Sequence, residues 1–386
     1  MSSSVRAIAD TVPAGFATAE VERQQSDDFD LVAIAGPFRN PWSVGVLPDG
    51  SLLVTERPGQ LHLVRPDHQP QAIAGVPQVL FHAHAGLLDV AIDPAFAVNR
   101  TVYLSYVHGT ATHSTVRVIR AQLDLERARL GERRVIFEST AAEQPELYGG
   151  ARLAVTDDGH LFLSIGDRWK RQSAQDLSDH AGKIIRIRTD GSVPRDNPFA
   201  SDPEARPEIW SYGHRNQLGL AFDRRTGRLW SHENGPQGGD ELNLIKAGAN
   251  YGWPIISHGQ EYDKPPPLEW TGPTTILGAA KEGMEQPVRY WVPSVAPSGL
   301  AIEYEGDRAV LWLGTLRGQS LLRLSVHDGK VVREERMLRD EIGRIRDVAV
   351  DPRGPLYVLQ DGEAAYLYRL EPEILRARRD NGRKRL

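Results

Sequence analysis

Trp42-Ser-Val-Gly-Val-Leu-Pro-Asp-Gly-Ser-Leu-Leu-Val-Thr-Glu56 is the stretch that decides the fold. A short apolar run meets a Pro-Asp-Gly turn, and a second run with β-favouring residues follows, which reads as a hairpin. The same phrase returns five times: at Leu88–Pro94 continuing into Thr101–Tyr106, and at Arg152–Asp167, Gly219–Trp230, Gly299–Gly314 and Arg346–Leu359. Further strands follow most copies, such as Gln60–Arg65, Ser320–Val326 and Ala365–Leu370. A small four-strand sheet cannot bury both faces alone, whereas six of them around an axis cover one another. The expected fold is therefore all-β, a six-bladed β-propeller with long inter-strand loops forming a top-face site. An irregular pair of β-sandwiches is the competing architecture.

The expected organisation is a polar segment over residues 1–28, one propeller domain over 29–371 and a basic tail over 372–386. Copies are unevenly spaced, so Asp190–Pro207 and Gly235–Pro293 are expected to leave the blades and build the site, as long loops in compact domains usually do. The 386 residues are 40% hydrophobic and 25% charged, with no run of the roughly 20 apolar residues that crosses a bilayer as a helix. A net charge of −5 argues against nucleic-acid or anionic-membrane partners. The cysteine count of 0 removes disulfides, thiolate metal sites and a Cys nucleophile. The opening Met1-Ser-Ser-Ser-Val-Arg shows no apolar run of a secretory leader, so either a cytoplasmic protein or a trimmed one is expected.

Familiar catalytic strings, including G-x-S-x-G, the Walker loop and H-E-x-x-H, are absent. Polar loops concentrate instead at Trp210-Ser-Tyr-Gly-His-Arg-Asn-Gln, His232-Glu-Asn-Gly-Pro-Gln-Gly-Gly-Asp-Glu and Asn250-Tyr-Gly-Trp-Pro. Exposed carbonyls around Pro236 with the carboxylates of Asp240 and Glu241 are hard oxygen ligands of the kind Ca²⁺ takes; an Asp/Gly turn capping strands is the plainer reading. Arg344 and Arg346 alternate along a strand and so share a face. Two such guanidiniums need a bound anion or internal Asp and Glu partners.

Read together, these strings resemble the soluble aldose sugar dehydrogenases that use pyrroloquinoline quinone (PQQ), related to soluble quinoprotein glucose dehydrogenase. The resemblance runs from about Asn40 to Leu370. It is carried by Gly86-Leu-Leu-Asp-Val-Ala-Ile-Asp-Pro, Pro207-Glu-Ile-Trp-Ser-Tyr-Gly-His-Arg-Asn, Asn234-Gly-Pro-Gln-Gly-Gly-Asp-Glu, Gly248-Ala-Asn-Tyr-Gly-Trp-Pro, Pro293-Ser-Val-Ala-Pro-Ser-Gly and Gly343-Arg-Ile-Arg-Asp-Val. It implies PQQ over the propeller axis with a Ca²⁺ beside it, a sugar substrate, an electron acceptor of unspecified identity and a periplasmic location. It further implies that Arg215, Asn216, Asn234, Arg317, Arg344 and Arg346 face the cofactor and that Gly235 and Pro236 ligate the ion. Glu241 and Tyr251 match a second, structural Ca²⁺ site.

One string departs from the family. Relatives place a catalytic histidine in His-aromatic-Gly-Gly-Arg-Leu, whereas this chain reads Glu146-Leu-Tyr-Gly-Gly-Ala-Arg152-Leu, with Tyr148 at the histidine's place. His84 stands where relatives usually carry glutamine before Gly-Gly-Leu-Leu. The candidate catalytic set is therefore His84, Tyr148 and Arg215. A propeller that binds ligand or cofactor without oxidising anything is the alternative.

Overall fold

The computed structural model describes residues 22–25, 29–66, 68–140, 150–261 and 276–372. Six small sheets ring a central axis, and each repeat of the sequence phrase forms the two innermost strands of one sheet. The first blade runs Pro41–Val46, Leu52–Glu56, Gln60–Val64, Gln71–Ala72, and the second Leu87–Ile92, Thr101–Thr110, His113–Asp124, Arg129–Glu138. The third runs Leu153–Val155, His160–Ile165, Lys183–Arg188, Ile209–Tyr212, and the fourth Gln217–Asp223, Arg228–Glu233, Asp240–Ile245, Arg289–Trp291. The fifth blade holds Pro297–Glu305, Arg308–Thr315, Leu321–His327 and Lys330–Met337. Ile345–Val350, Leu356–Gln360 and Ala365–Pro372 make three strands of the sixth, and Phe29–Phe38 adds its outer strand. That last pairing joins the two ends of the chain and closes the ring.

Within the stretch read as a polar lead-in, Glu22–Gln25 pairs in parallel with Lys330–Met337 on the rim of the fifth blade. The Gly235–Pro293 insert also returns to its blade, supplying Asp240–Ile245 and Arg289–Trp291, so only part of it is loop. Local patterning cannot reveal this, because both strands are short and separated by more than forty residues.

The core lies between blades. One apolar cluster joins Leu53, Leu61 and Leu63 to Leu87, Leu104 and Leu123 of the next sheet, and another joins Trp230 and Leu242 to Leu311, Leu313 and Leu322. Burying both sheet faces in this way accounts for the fully buried Leu53, Val54, Leu61 and Leu63. Because each blade alternates direction strand by strand, its entry into the innermost strand and its exit from the second strand lie at the same end of the ring. Residues at those two places share one face.

Candidate functional site

That face holds a cavity of about 240 Å³ lined by the innermost strands' entries: Trp42, Leu88, Gly150, Asn216, Leu218, Ala296, Arg344 and Arg346. Arg57, Asn234 and Leu316, each just past a second strand, complete it together with His84. All six blades contribute. Five residues singled out in the sequence, His84, Asn216, Asn234, Arg344 and Arg346, therefore meet in one place.

Arg344 and Arg346 converge on a single carboxylate. Arg344 Nε donates to Asp361 Oδ2 at 2.7 Å, and Arg346 Nη2 and Nε donate to Oδ1 at 2.7 and 2.9 Å. Burial works against the Asp361 carboxylate, but Arg346 and Arg344 outweigh it and hold its pKa below the usual range. Arg57 lines the cavity beside them and feels the Asp361 charge without an ion pair to it. The amide oxygens Asn216 Oδ1 and Asn234 Oδ1 are buried with no hydrogen-bond partner in the protein, leaving two acceptors open to a ligand, an ion or water.

Beside this cavity Arg215 is fixed from several sides. Its backbone N–H donates to Glu233 Oε2 at 2.5 Å, and its Nη1 donates to the carbonyls of Asn234 at 2.7 Å and Gly235 at 3.1 Å. Its guanidinium lies 5.3 Å from the Trp253 ring, whose Nε1–H donates to buried Asp167. Burial pushes the Asp167 carboxyl up against the pull of Arg215. A pocket of only about 10 Å³, room for a single small ion or water, is lined by Arg215, Glu233, Asn234, Gly235, Glu241 and Tyr251. Burial, then the neighbouring Glu233, raises the Glu241 pKa, and Asn243 Oδ1 close by is also without a partner. The Gly235 turn tolerates no side chain, since a Cβ there would lie 2.3 Å from Gly238 O.

Two expected residues stand apart. Arg317 is exposed on the turn after Arg308–Thr315 and does not line the cavity; its N–H to Val295 O at 3.1 Å holds the turn while the side chain points to water. Pro236 is outside both pockets, and its carbonyl accepts the Gln260 N–H at 3.0 Å. Tyr148 lies outside the described residues.

The sequence reading missed Arg57, Asp361, Glu233 and Asp167. A positional rule would have found three of them: Arg57 and Asp361, like Asn234 and Leu316, follow a blade's second strand directly, and Asp167 sits two residues past one, where the fold delivers residues to the site; Glu233 is the last residue of such a strand. Below the cavity Arg152 spans the axis. Its Nη1 lies 2.9 Å from Asp347 and 3.6 Å from Asp89, its Nε donates to Leu218 O, and its guanidinium stacks 3.9 Å from the Trp42 ring.

The loop Pro77–Gly86 carries His84 over Arg57. Gly86 has φ +150° and would place a Cβ 2.3 Å from Arg57 O, while Leu87 N–H bonds that same carbonyl at 3.0 Å. Gly86→Ala is expected to lift this loop and cost about 2 kcal/mol, read as a lower thermal midpoint.

The chain matches the family model described as Glucose / Sorbosone dehydrogenase over residues 38–369. It is 36% identical over 343 residues to aldose sugar dehydrogenase from Escherichia coli, covering 86% of this chain and 90% of that protein. The solved apo structure of the soluble Escherichia coli enzyme superposes with a TM-score of 0.82 at 34% identity, covering 89% of this chain and 99% of the other. The PQQ-bound aldose sugar dehydrogenase of Streptomyces coelicolor superposes with a TM-score of 0.73 at 28% identity, covering 90% and 99%. Sequence and fold thus agree with these relatives along nearly the whole chain, and the chain belongs to the glucose/sorbosone dehydrogenase family.

Proposed function

We propose that this protein is a PQQ- and Ca²⁺-dependent dehydrogenase that oxidises the C1 hydroxyl of aldoses to lactones. The observation that carries the reading is the axial cavity, which gathers Arg344 and Arg346 with the unpartnered Asn216 and Asn234 oxygens. A planar tricarboxylate fits the arginines, because guanidinium forks bind carboxylates bidentately, while the orphaned amide oxygens suit a sugar hydroxyl or a cation. Oxygen donors at Gly235, Pro236 and Asn234 fit Ca²⁺, and each carbonyl already bonded to an N–H retains a second lone pair. The pocket between Glu241, Glu233 and Tyr251 fits a second cation that would relieve the repulsion of the two carboxylates.

When bound, PQQ supplies the two-electron acceptor for the C1 hydride and Ca²⁺ the Lewis acid beside it. The chain's own residues do the rest. Arg344 and Arg346, held rigid by Asp361, orient carboxylates across the cavity. Arg215, braced by Glu233 and Trp253, presents fixed positive charge where negative charge develops. His84, neutral at ordinary pH, takes the proton of the sugar's O1 at a ring nitrogen.

Reconstitution tests the reading: purified protein titrated with PQQ and Ca²⁺ is expected to bind both, and aldoses are expected to bleach the quinone absorbance and drive dye reduction. Arg346→Ala is expected to weaken PQQ binding by about 100-fold in the same titration, since it strips one fork and leaves Asp361 half-paired. Binding without bleaching would replace this reading with a non-oxidising binding module.

A further inference from the structure

At the cavity end of the first blade, positive charge continues outward past the residues assigned to the cofactor. Arg57 reaches from the cavity wall toward Phe81, with its guanidinium 5.6 Å from the ring, and Arg39 lies 6.0 Å from the same ring. Arg57 donates to the carbonyl of Ala83 and weakly to Asn40 Oδ1, and neither Arg57 nor Arg39 pairs with a carboxylate among the described residues. Of the carboxylates nearby, Asp361 is taken by Arg344 and Arg346, and Glu56 accepts the Arg39 backbone N–H at 2.6 Å and lies 3.4 Å from His62. Phe81 is 40% exposed, one of few large apolar side chains left open to water. Its ring and both guanidiniums belong to strand ends and a loop that the fold delivers to the cavity's mouth, because Arg39 precedes the innermost strand and Arg57 follows the second.

An exposed aromatic ring offers a face for the C–H side of a pyranose, and guanidiniums without carboxylate partners offer forks for a planar or tetrahedral anion. Resting on the dehydrogenase reading above, we propose that the Arg39–Phe81–Arg57 mouth selects aldoses that carry an anionic group, carboxylate or phosphate, at the end remote from C1. Such a substrate would place C1 toward His84 and the cavity floor while its anion remains with the arginines at the entrance. The chemistry at C1 is unchanged: hydride leaves to the quinone, the O1 proton goes to the base, and the lactone forms with the anion untouched.

The test compares glucose, glucuronate and glucose 6-phosphate as substrates of the PQQ- and Ca²⁺-loaded protein, with binding of each followed separately by calorimetry. Glucuronate or glucose 6-phosphate is expected to show kcat/KM at least about tenfold above glucose at low salt, a gap expressed in KM and narrowed by added salt as charge screening requires. Arg39→Ala and Phe81→Ala are expected to shrink that gap severalfold, whereas Arg39→Lys keeps most of it. A preference for glucuronate alone assigns the site to carboxylates, and one for glucose 6-phosphate alone assigns it to phosphates. Equal kcat/KM for all three, or a preference that survives both alanine variants, overturns the proposal while leaving sugar oxidation intact. If no aldose is oxidised but anionic sugars still bind and lose affinity in Arg39→Ala, the mouth stands and the dehydrogenase reading falls.

Discussion

Arg152→Ala is expected to lower the unfolding free energy by about 3–5 kcal/mol, the largest stability effect of any single substitution considered, because it strands two buried carboxylates. Arg152 leaves the third blade and bonds to the second through Asp89, to the fourth through Leu218 O and to the sixth through Asp347 and the carbonyl of Arg346. Its stacking on Trp42 adds the first blade. Asp89 keeps other donors, from Ser43 Oγ and Leu153 N–H, and Asp347 keeps the Val44 N–H, so neither carboxylate can move to water when the arginine goes.

The pH dependence separates lost charge pairing from lost packing. Burial, offset by Arg152 and reinforced by Asp89, already pushes the Asp347 pKa up to about 6. A carboxyl whose folded pKa exceeds its unfolded value binds protons preferentially when folded, so its penalty is present above the folded pKa and disappears as pH falls toward the unfolded one. Without Arg152 the pKa rises further. The deficit of Arg152→Ala, measured by denaturant unfolding, is therefore expected to be largest near pH 7–8 and to shrink toward pH 5. A deficit independent of pH would mean that the side chain acts through packing against Trp42 alone.

How far the sequence carried these arguments depends on the distance over which each feature is encoded. The six hairpins were legible because alternation and turn are local: Leu47-Pro-Asp-Gly50 is contained in one reversal, and both strands around it formed as expected. The ring closure was not, since Phe29–Phe38 pairs with Ala365–Pro372 across nearly the whole chain and nothing in either strand names the other. Arg344 and Arg346 stood out as a same-face pair, but their shared partner Asp361 is a strand away and belongs to no motif. Arg317 is exposed and off the cavity lining, a placement the sequence could not give, because a string fixes where a residue falls along the chain, not which way a turn aims it. Asn234 was flagged through its Gly-Pro neighbours while Glu233, in the same polar string, was given no role, because fixing the Arg215 backbone and crowding Glu241 are contacts that no string records.

His84→Ala is expected to reduce kcat of the loaded enzyme by about 10²–10⁴-fold while PQQ and Ca²⁺ still bind. His84 lines the same cavity as Asn216, Arg344 and Arg346, on a loop seated over Arg57, so it faces the volume that the proposed reaction gives to the sugar. Its side chain is reached by solvent through the mouth yet ringed by protein, and burial, then Arg346 and Arg57, lower its pKa to about 4, with Asp361 opposing. At neutral pH the imidazole is thus uncharged and able to accept a proton. A pKa that low makes a weak base, but carboxylates bound against Arg344 and Arg346 offset the charges that depress it, moving it toward the working range. The base acts in its neutral form, so kcat is expected to fall as pH drops through its pKa, with the acid limb at or above pH 4. Arg57→Leu removes one of the depressing charges and is expected to shift that limb to higher pH. His84→Ala removes the limb along with the rate. Full activity in His84→Ala, with the limb unmoved, would pass the role to the segment containing Tyr148, whose phenol, with a reference pKa near ~10, would need a far larger shift to serve.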